Sequence, residues 1–170
     1  MGENLLGEFL RYLRDVRRVS ESTLRGYESD LRQFFEYVKD FDTQAGPEEA
    51  LEREDAVRSF VSSLYGKLKE ASIARKLSSL RTFYRFLLKR GRISRNPLST
   101  IRGPRTGRKV PGFLTLDEMD ALLKSASGQD FLSLRDRAII ELLYSSGLRV
   151  GELVSLRVGD LRADRGIIRV

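Results

Sequence analysis

Residues 144–153 read Tyr144-Ser145-Ser146-Gly147-Leu148-Arg149-Val150-Gly151-Glu152-Leu153. Gly147 predicts the end of one helix, and Arg149 falls at the start of the next. A guanidinium at that place adds a fixed cation to the unpaired N–H groups of a helix N-terminus, a combination suited to a phosphate. Glu152, one turn later, is spaced to orient Arg149 through a charge-assisted hydrogen bond. The same spacing also describes an ordinary surface ion pair in a helix–turn–helix bend, and spacing leaves both readings open.

Other chemistries are excluded by composition. The 170 residues contain no Cys and no His. Disulfides, thiolate nucleophiles, imidazole triads and Cys- or His-ligated metal sites are therefore ruled out within them. Any reaction must use Arg, Lys, Tyr, Ser or carboxylates, and no metal or cofactor is expected.

A second constellation lies in the charge distribution. The net charge is +7. Residues 1–66 carry 9 bases and 14 acids, net −5; residues 67–109 carry 14 bases and one acid (Glu70), net +13; residues 110–170 carry 8 bases and 9 acids, net −1. The middle block has the footprint of a polyanion binder. On a helix over 70–90, Ile73, Leu77, Leu80, Phe83, Tyr84 and Leu87 share one face. Arg75, Ser78, Thr82, Arg85 and Lys89 share the opposite one, with Arg81 at its edge and Lys76 on the apolar side. Cations mixed with hydroxyls suit phosphates, and a helix of this width fits a DNA major groove. A solvated surface face with acid partners elsewhere in the fold is the competing reading.

Apolar spacing predicts amphipathic helices over 4–18, 20–39, 53–66 and 70–90. Val16 is expected inward on the first, and Ser20 or Ser22 caps the second. Gly46-Pro47 marks a loop, and residues 103–112 read as a basic linker. Thr115 and Glu118 form a capping box opening a helix to about 125. Further helices are expected over 133–145 and 149–156. A strand over 166–170 follows a turn at Asp164-Arg165-Gly166, with no partner strand in view. Hydrophobic residues at 41% and charged residues at 32% describe a globular chain, not a disordered one. No run approaches the ~20 apolar residues of a membrane span. The start, Met1-Gly2-Glu3-Asn4-Leu5, lacks a secretory signal's pattern, so a cytoplasmic location is expected.

Four segments together carry a family resemblance. The stretch from Tyr144 to Leu153, flanked by Leu134-Arg135-Asp136-Arg137-Ala138 and by Val154-Ser155-Leu156, resembles the first active-site motif of tyrosine recombinases. Residues 22–31 (Ser22-Thr23-Leu24-Arg25-Gly26-Tyr27-Glu28-Ser29-Asp30-Leu31) resemble the second-helix signature of that family's core-binding domain. Residues 72–84 resemble its fourth-helix signature, and Asn96-Pro97 its usual end. The resemblance covers nearly the whole chain and is nearest to the bacterial Xer branch, XerC more than XerD.

The resemblance implies a mainly α fold. A four-helix, SAM-like, core-binding DNA-binding domain occupies 1–102, a basic linker 103–112, and the truncated start of an α+β catalytic domain 113–170, with helices plus one or two short strands. It implies site-specific DNA recombination of the chromosome-dimer-resolution type, without metal or cofactor. In the family a tyrosine forms a 3′-phosphotyrosyl link, and two arginines and a lysine stabilise the reacting phosphate. Arg149 matches the first arginine and Glu152 its acidic support. The lysine hairpin is expected just after Val170, with the His-x-x-Arg motif and nucleophilic tyrosine further on. Tyr12, Tyr27, Tyr37, Tyr65, Tyr84 and Tyr144 all precede Arg149 and read as core or surface residues. Expected DNA contacts are Arg75, Ser78, Arg81, Arg85 and Lys89, the hydroxyls Ser22 and Thr23, and the linker bases Arg105, Arg108 and Lys109. Duplex DNA is the expected partner, with a second recombinase subunit in a tetramer on two sites; no membrane or small-molecule substrate is expected. The chain alone is expected to bind DNA without cutting it, its apolar faces in 110–170 incompletely covered. The alternative is a stand-alone, non-catalytic DNA-binding or architectural protein that competes with a full-length recombinase.

Overall fold

The computed structural model describes residues 2–41, 51–105, 107, 112–162 and 164–170. The chain divides into two compact units near residue 108. The first contains α1 (Gly2–Asp15), α2 (Glu21–Phe41), α3 (Glu54–Leu64) and α4 (Glu70–Lys89). The second contains α5 (Leu116–Ser125), α6 (Phe131–Ser146), α7 (Val150–Ser155), a 3-10 turn (Val158–Asp160), β1 (Leu161–Arg162) and β2 (Ile167–Ile168).

The core of the first unit is what the helical spacing demands. Phe9, Leu31, Phe34, Leu77, Leu80, Phe83 and Leu87 are fully buried. Val57, Phe60, Val61 and Leu64 turn inward from α3 as expected. Aromatic rings meet edge-on, Phe9 against Phe83 at 5.3 Å and Phe34 against Phe60 at 5.1 Å, the geometry that ring quadrupoles favour. Tyr84 is buried with them, and its hydroxyl donates to the Leu51 carbonyl at 2.9 Å. Burial pushes its phenol well above the ordinary range, so it stays neutral. After α4, Gly91 takes φ +65° and lets the chain turn back. Ile93, Leu98 and Ile101 then bury themselves on the helices. Gly103 passes so close that a Cβ there would sit 3.0 Å from Leu77 Cδ1.

The first helix ends sooner than its spacing predicts. Val16, expected inward, is 65% exposed. The Val16 and Arg17 amides both bond the Tyr12 carbonyl, the last turn unwinds, and Arg18 takes φ +49°. The Val19 amide then bonds Leu13 O, and Val19 packs on the core in place of Val16. Ser20, not Ser22, caps α2: its Oγ accepts from the Thr23 amide at 3.3 Å.

In the second unit Thr115 and Glu118 form the expected capping box. Asp130 caps α6 through the Leu132 and Ser133 amides, which starts that helix two residues before its apolar pattern suggests. Gly147, at φ +66°, ends it. The terminal strand, expected to lack a partner, has one. Ile167–Ile168 pair antiparallel with Leu161–Arg162, in the register Leu161↔Ile168 and Arg162↔Ile167. Two residues are too short to show an alternating pattern, so β1 was invisible in the sequence. Among the described residues of this unit only Met119 and Ala126 are buried hydrophobics. Phe131 at 78% and Val154 at 80% exposure show how little of its apolar surface is covered, as expected for 110–170.

Candidate nucleic-acid interface

On α4 the buried and exposed strips fall where the helical wheel puts them. Arg75, Ser78, Arg85 and Lys89 are exposed; Arg81 and Thr82 are half-buried. Thr82 Oγ1 donates to the Ser78 carbonyl one turn back at 2.9 Å, so this hydroxyl is turned to its own helix. Arg81 Nη2 donates to the Ile101 carbonyl at 3.0 Å and ties the segment after α4 to the helix. Among the described residues, the side chains of Ser78, Arg85 and Lys89 have no partner. A row of unpaired cations on a helix whose other side is locked in a core is a rigid positive surface.

The same helix meets α2 through a buried carboxylate. Asp30 accepts from Arg75 Nη1 (2.6 Å) and Nη2 (2.9 Å), from Lys76 Nζ (2.9 Å) and from Ser79 Oγ (2.8 Å). Each carboxylate oxygen takes two donors, which fills its lone pairs. The two core-binding signatures in the sequence, residues 22–31 and 72–84, thus meet at one group. Sequence reasoning missed Asp30 and Ser79 as site residues and gave Lys76 little weight. The signal was present: one acid on the buried side of α2 and one base on the buried side of α4 each break an apolar face, and buried charges occur in pairs.

Ser22 and Thr23 are exposed at the start of α2, where both hydroxyls bond Ser20 Oγ at 3.0 and 2.9 Å. Gly26, one turn on, flanks Arg75. Arg105 is exposed in the segment after α4. Arg108 and Lys109 lie outside the described residues.

In the second unit Arg149 stands at the N-cap of α7. Its guanidinium Nη1 donates to Glu152 Oε1 at 2.8 Å, and its backbone N–H to Oε2 at 2.7 Å. Those two contacts hold the Glu152 carboxyl below the usual carboxylate range, the backbone bond contributing most. The expected cradle of free N–H groups is therefore partly filled by Glu152. What Arg149 presents outward is its side chain, 86% exposed. The charge-assisted bond at Nη1 orients the guanidinium and leaves its other N–H groups to an external oxyanion.

Comparison with known proteins follows the same division. Residues 6–91 match the family described as phage integrase, N-terminal SAM-like domain, and residues 112–170 match the phage integrase family itself. The tyrosine recombinase XerC of Syntrophus aciditrophicus (strain SB) is 40% identical over 174 residues, covering 99% of this chain and 56% of the relative. The tyrosine recombinase XerD of Listeria innocua serovar 6a is 36% identical over 166 residues, covering 98% and 56%. A solved structure, described as the crystal structure of XerA recombinase, aligns with a TM-score of 0.48 at 24% identity, covering 100% of this chain and 55% of that one. The chain spans about half the length of the curated relatives it matches. Its N-terminal unit is a SAM-like domain, and the chain belongs to the phage integrase family of tyrosine recombinases.

Proposed function

We propose that this chain acts in site-specific DNA recombination as part of an Xer-type tyrosine recombinase, of the kind that resolves chromosome dimers, with the first unit as the DNA grip. The observation that carries this reading is the α4 strip: Arg85 and Lys89 stand exposed and without partners on a helix anchored by a fully buried opposite face. Arg75, Ser78 and Arg81 extend the strip, Ser22, Thr23 and Arg105 are exposed donors of the same unit, and Arg108 and Lys109, outside the described residues, are assigned to DNA contact from the sequence alone. Duplex DNA is the ligand, and a second recombinase subunit is the protein partner.

The chemistry assigned to the second unit is electrostatic. Arg149 binds a non-bridging oxygen of the scissile phosphate and opposes the charge that grows there in the transition state. Glu152 holds the guanidinium in place for it. Nothing in this role needs a metal or a cofactor. These 170 residues contain no His, so a His-x-x-Arg motif is not among them. Arg149 then contributes only together with a second arginine, a lysine and a tyrosine nucleophile outside this sequence. The resemblance carried by Tyr144 to Leu153 and the Arg149–Glu152 pair support the assignment.

The test is titration of the 170-residue chain with a labelled DNA duplex over a range of salt, followed by incubation with a nicked recombination site. Binding that weakens steeply with salt, with no covalent adduct, is the expected result. Failure to bind duplex DNA at low salt overturns the reading, and a covalent adduct overturns the assignment of the nucleophile to residues outside this sequence.

A further inference from the structure

A carboxylate at 1% exposure is an expensive thing to place between two helices, and a single arginine would have balanced its charge. Asp30 has two bases. Arg75 reaches it from the surface, with its side chain 56% exposed, while Lys76 reaches it from within, at 9% exposure for the residue. One negative charge therefore meets two positive ones, and the cluster keeps a surplus of one positive charge.

That surplus can emerge only at Arg75. Lys76 is buried, with its side chain 11% exposed and its Nζ on Asp30, whereas Arg75 lies on the exposed strip with Ser78, Arg85 and Lys89. Arg75 and Asp30 alone would make a pair of no net charge, with a weaker pull on a phosphate than a pair that keeps a surplus cation. Lys76 removes that limitation by satisfying the carboxylate from the inside. The two-pronged contact to Asp30 also fixes the plane of the guanidinium, so less freedom is lost when it takes a second oxyanion. Gly26, the residue of α2 beside it, has no side chain to cover the Arg75 Nη1 edge; a Cβ there would stand 3.9 Å away.

We infer that Asp30 and Lys76 are positioning residues for DNA binding: Asp30 aims the Arg75 guanidinium outward, and buried Lys76 frees its charge for a backbone phosphate. The inference rests on the reading of α4 as the DNA-facing helix. Its distinctive consequence is that a buried lysine, bonded to Asp30, controls one phosphate contact made by its neighbour.

The test uses the whole chain and a fluorescein-labelled random-sequence DNA duplex, titrated across ionic strength, for Arg75→Gln, Lys76→Met and the double variant. Circular dichroism melts establish that each is folded at the assay temperature, and Lys76→Gln, which keeps a neutral donor for Asp30, replaces Lys76→Met if that variant does not fold. Each single variant is expected to reduce the slope of log K against log salt by about one and to weaken binding about tenfold near 0.1 M salt. The double variant is expected to lose no more slope than either single one, because both remove the same contact. A folded Lys76 variant with a lower melting temperature but an unchanged salt slope would mean a purely structural clamp and would overturn the inference. So would an unchanged slope for Arg75→Gln. Arg85→Ala separates this failure from failure of the parent reading: if it lowers the slope while the Arg75 and Lys76 variants do not, α4 binds DNA without this device. If none of the variants alters binding, α4 is not the interface.

Discussion

Arg149 and Glu152 are joined through different atoms, one contact from the guanidinium and one from the backbone N–H. The backbone contact makes Glu152 the N-terminal cap of α7 as well as the partner of Arg149. Glu152→Gln should therefore leave the chain folded while releasing the guanidinium, and nuclear magnetic resonance of the Arg149 side-chain N–H groups should show the loss of order. Glu118 plays the comparable capping role on α5, where the Thr115 N–H and hydroxyl hold its carboxyl below the ordinary value of 4.5. A carboxylate depressed on folding stabilises the folded form fully above its unfolded value, and that contribution is lost as pH falls through the lower folded value. Helix content of the second unit should then fall on acidification below 4.5, and Glu118→Gln should flatten that acid limb by removing the titrating group. Asp30 lies at the other extreme of burial. Asp30→Ala leaves Lys76 enclosed without a counter-charge and should lower the stability of the first unit by about 3 kcal/mol in denaturant unfolding.

At the scale of the element, α4 does two jobs with its two sides. Its inner side supplies six of the fully buried core side chains, Ile73, Leu77, Leu80, Phe83, Tyr84 and Leu87. Leu80→Ala should cost about 2–5 kcal/mol, by lost burial and the cavity left behind. Unfolding by urea measures that loss. Its outer side should behave in the opposite way: Arg85→Ala should leave stability within about 0.5 kcal/mol. The same variant should lower duplex-DNA affinity alike for every sequence and reduce the salt slope by about one. A stability loss from Arg85→Ala without a change in slope would assign the residue to the fold instead. The separation is possible because the helix is long enough, at 20 residues, for each side to run five turns.

At the scale of the molecule the two units differ in how much they bury. The first has a continuous apolar core drawn from α1, α2, α3 and α4, Leu51 and the segment through Ile101. The second has α6 with no buried residue among those described, and α7 likewise. Large exposed apolar patches bind other apolar surfaces. The chain should bind an apolar fluorescent dye at neutral pH, and hydrogen exchange should protect the amides of α4 far longer than those of α6. Equal protection of the two helices would mean that α6 is covered in solution.

The mainly helical class, the caps at Thr115 and Gly147, the two sides of α4 and the Arg149–Glu152 spacing were legible in the amino-acid sequence. Each depends on residues within about one or two turns, where spacing alone fixes which side chains can meet. The unit-length periodicity failed only at ends and in very short elements. Val16 fitted the pattern but lost its place when the chain turned at Arg18, and β1 has two residues, too few for any pattern. The meeting of Asp30 with Arg75, Lys76 and Ser79 was legible nowhere but in the packed fold. Those partners are 45 to 49 positions apart in sequence, and what joins them is the packing of α2 on α4. The sequence placed a charge on the apolar side of each helix; the close approach of the two helices made them partners, because a buried charge left alone would have cost more than the contact it blocks.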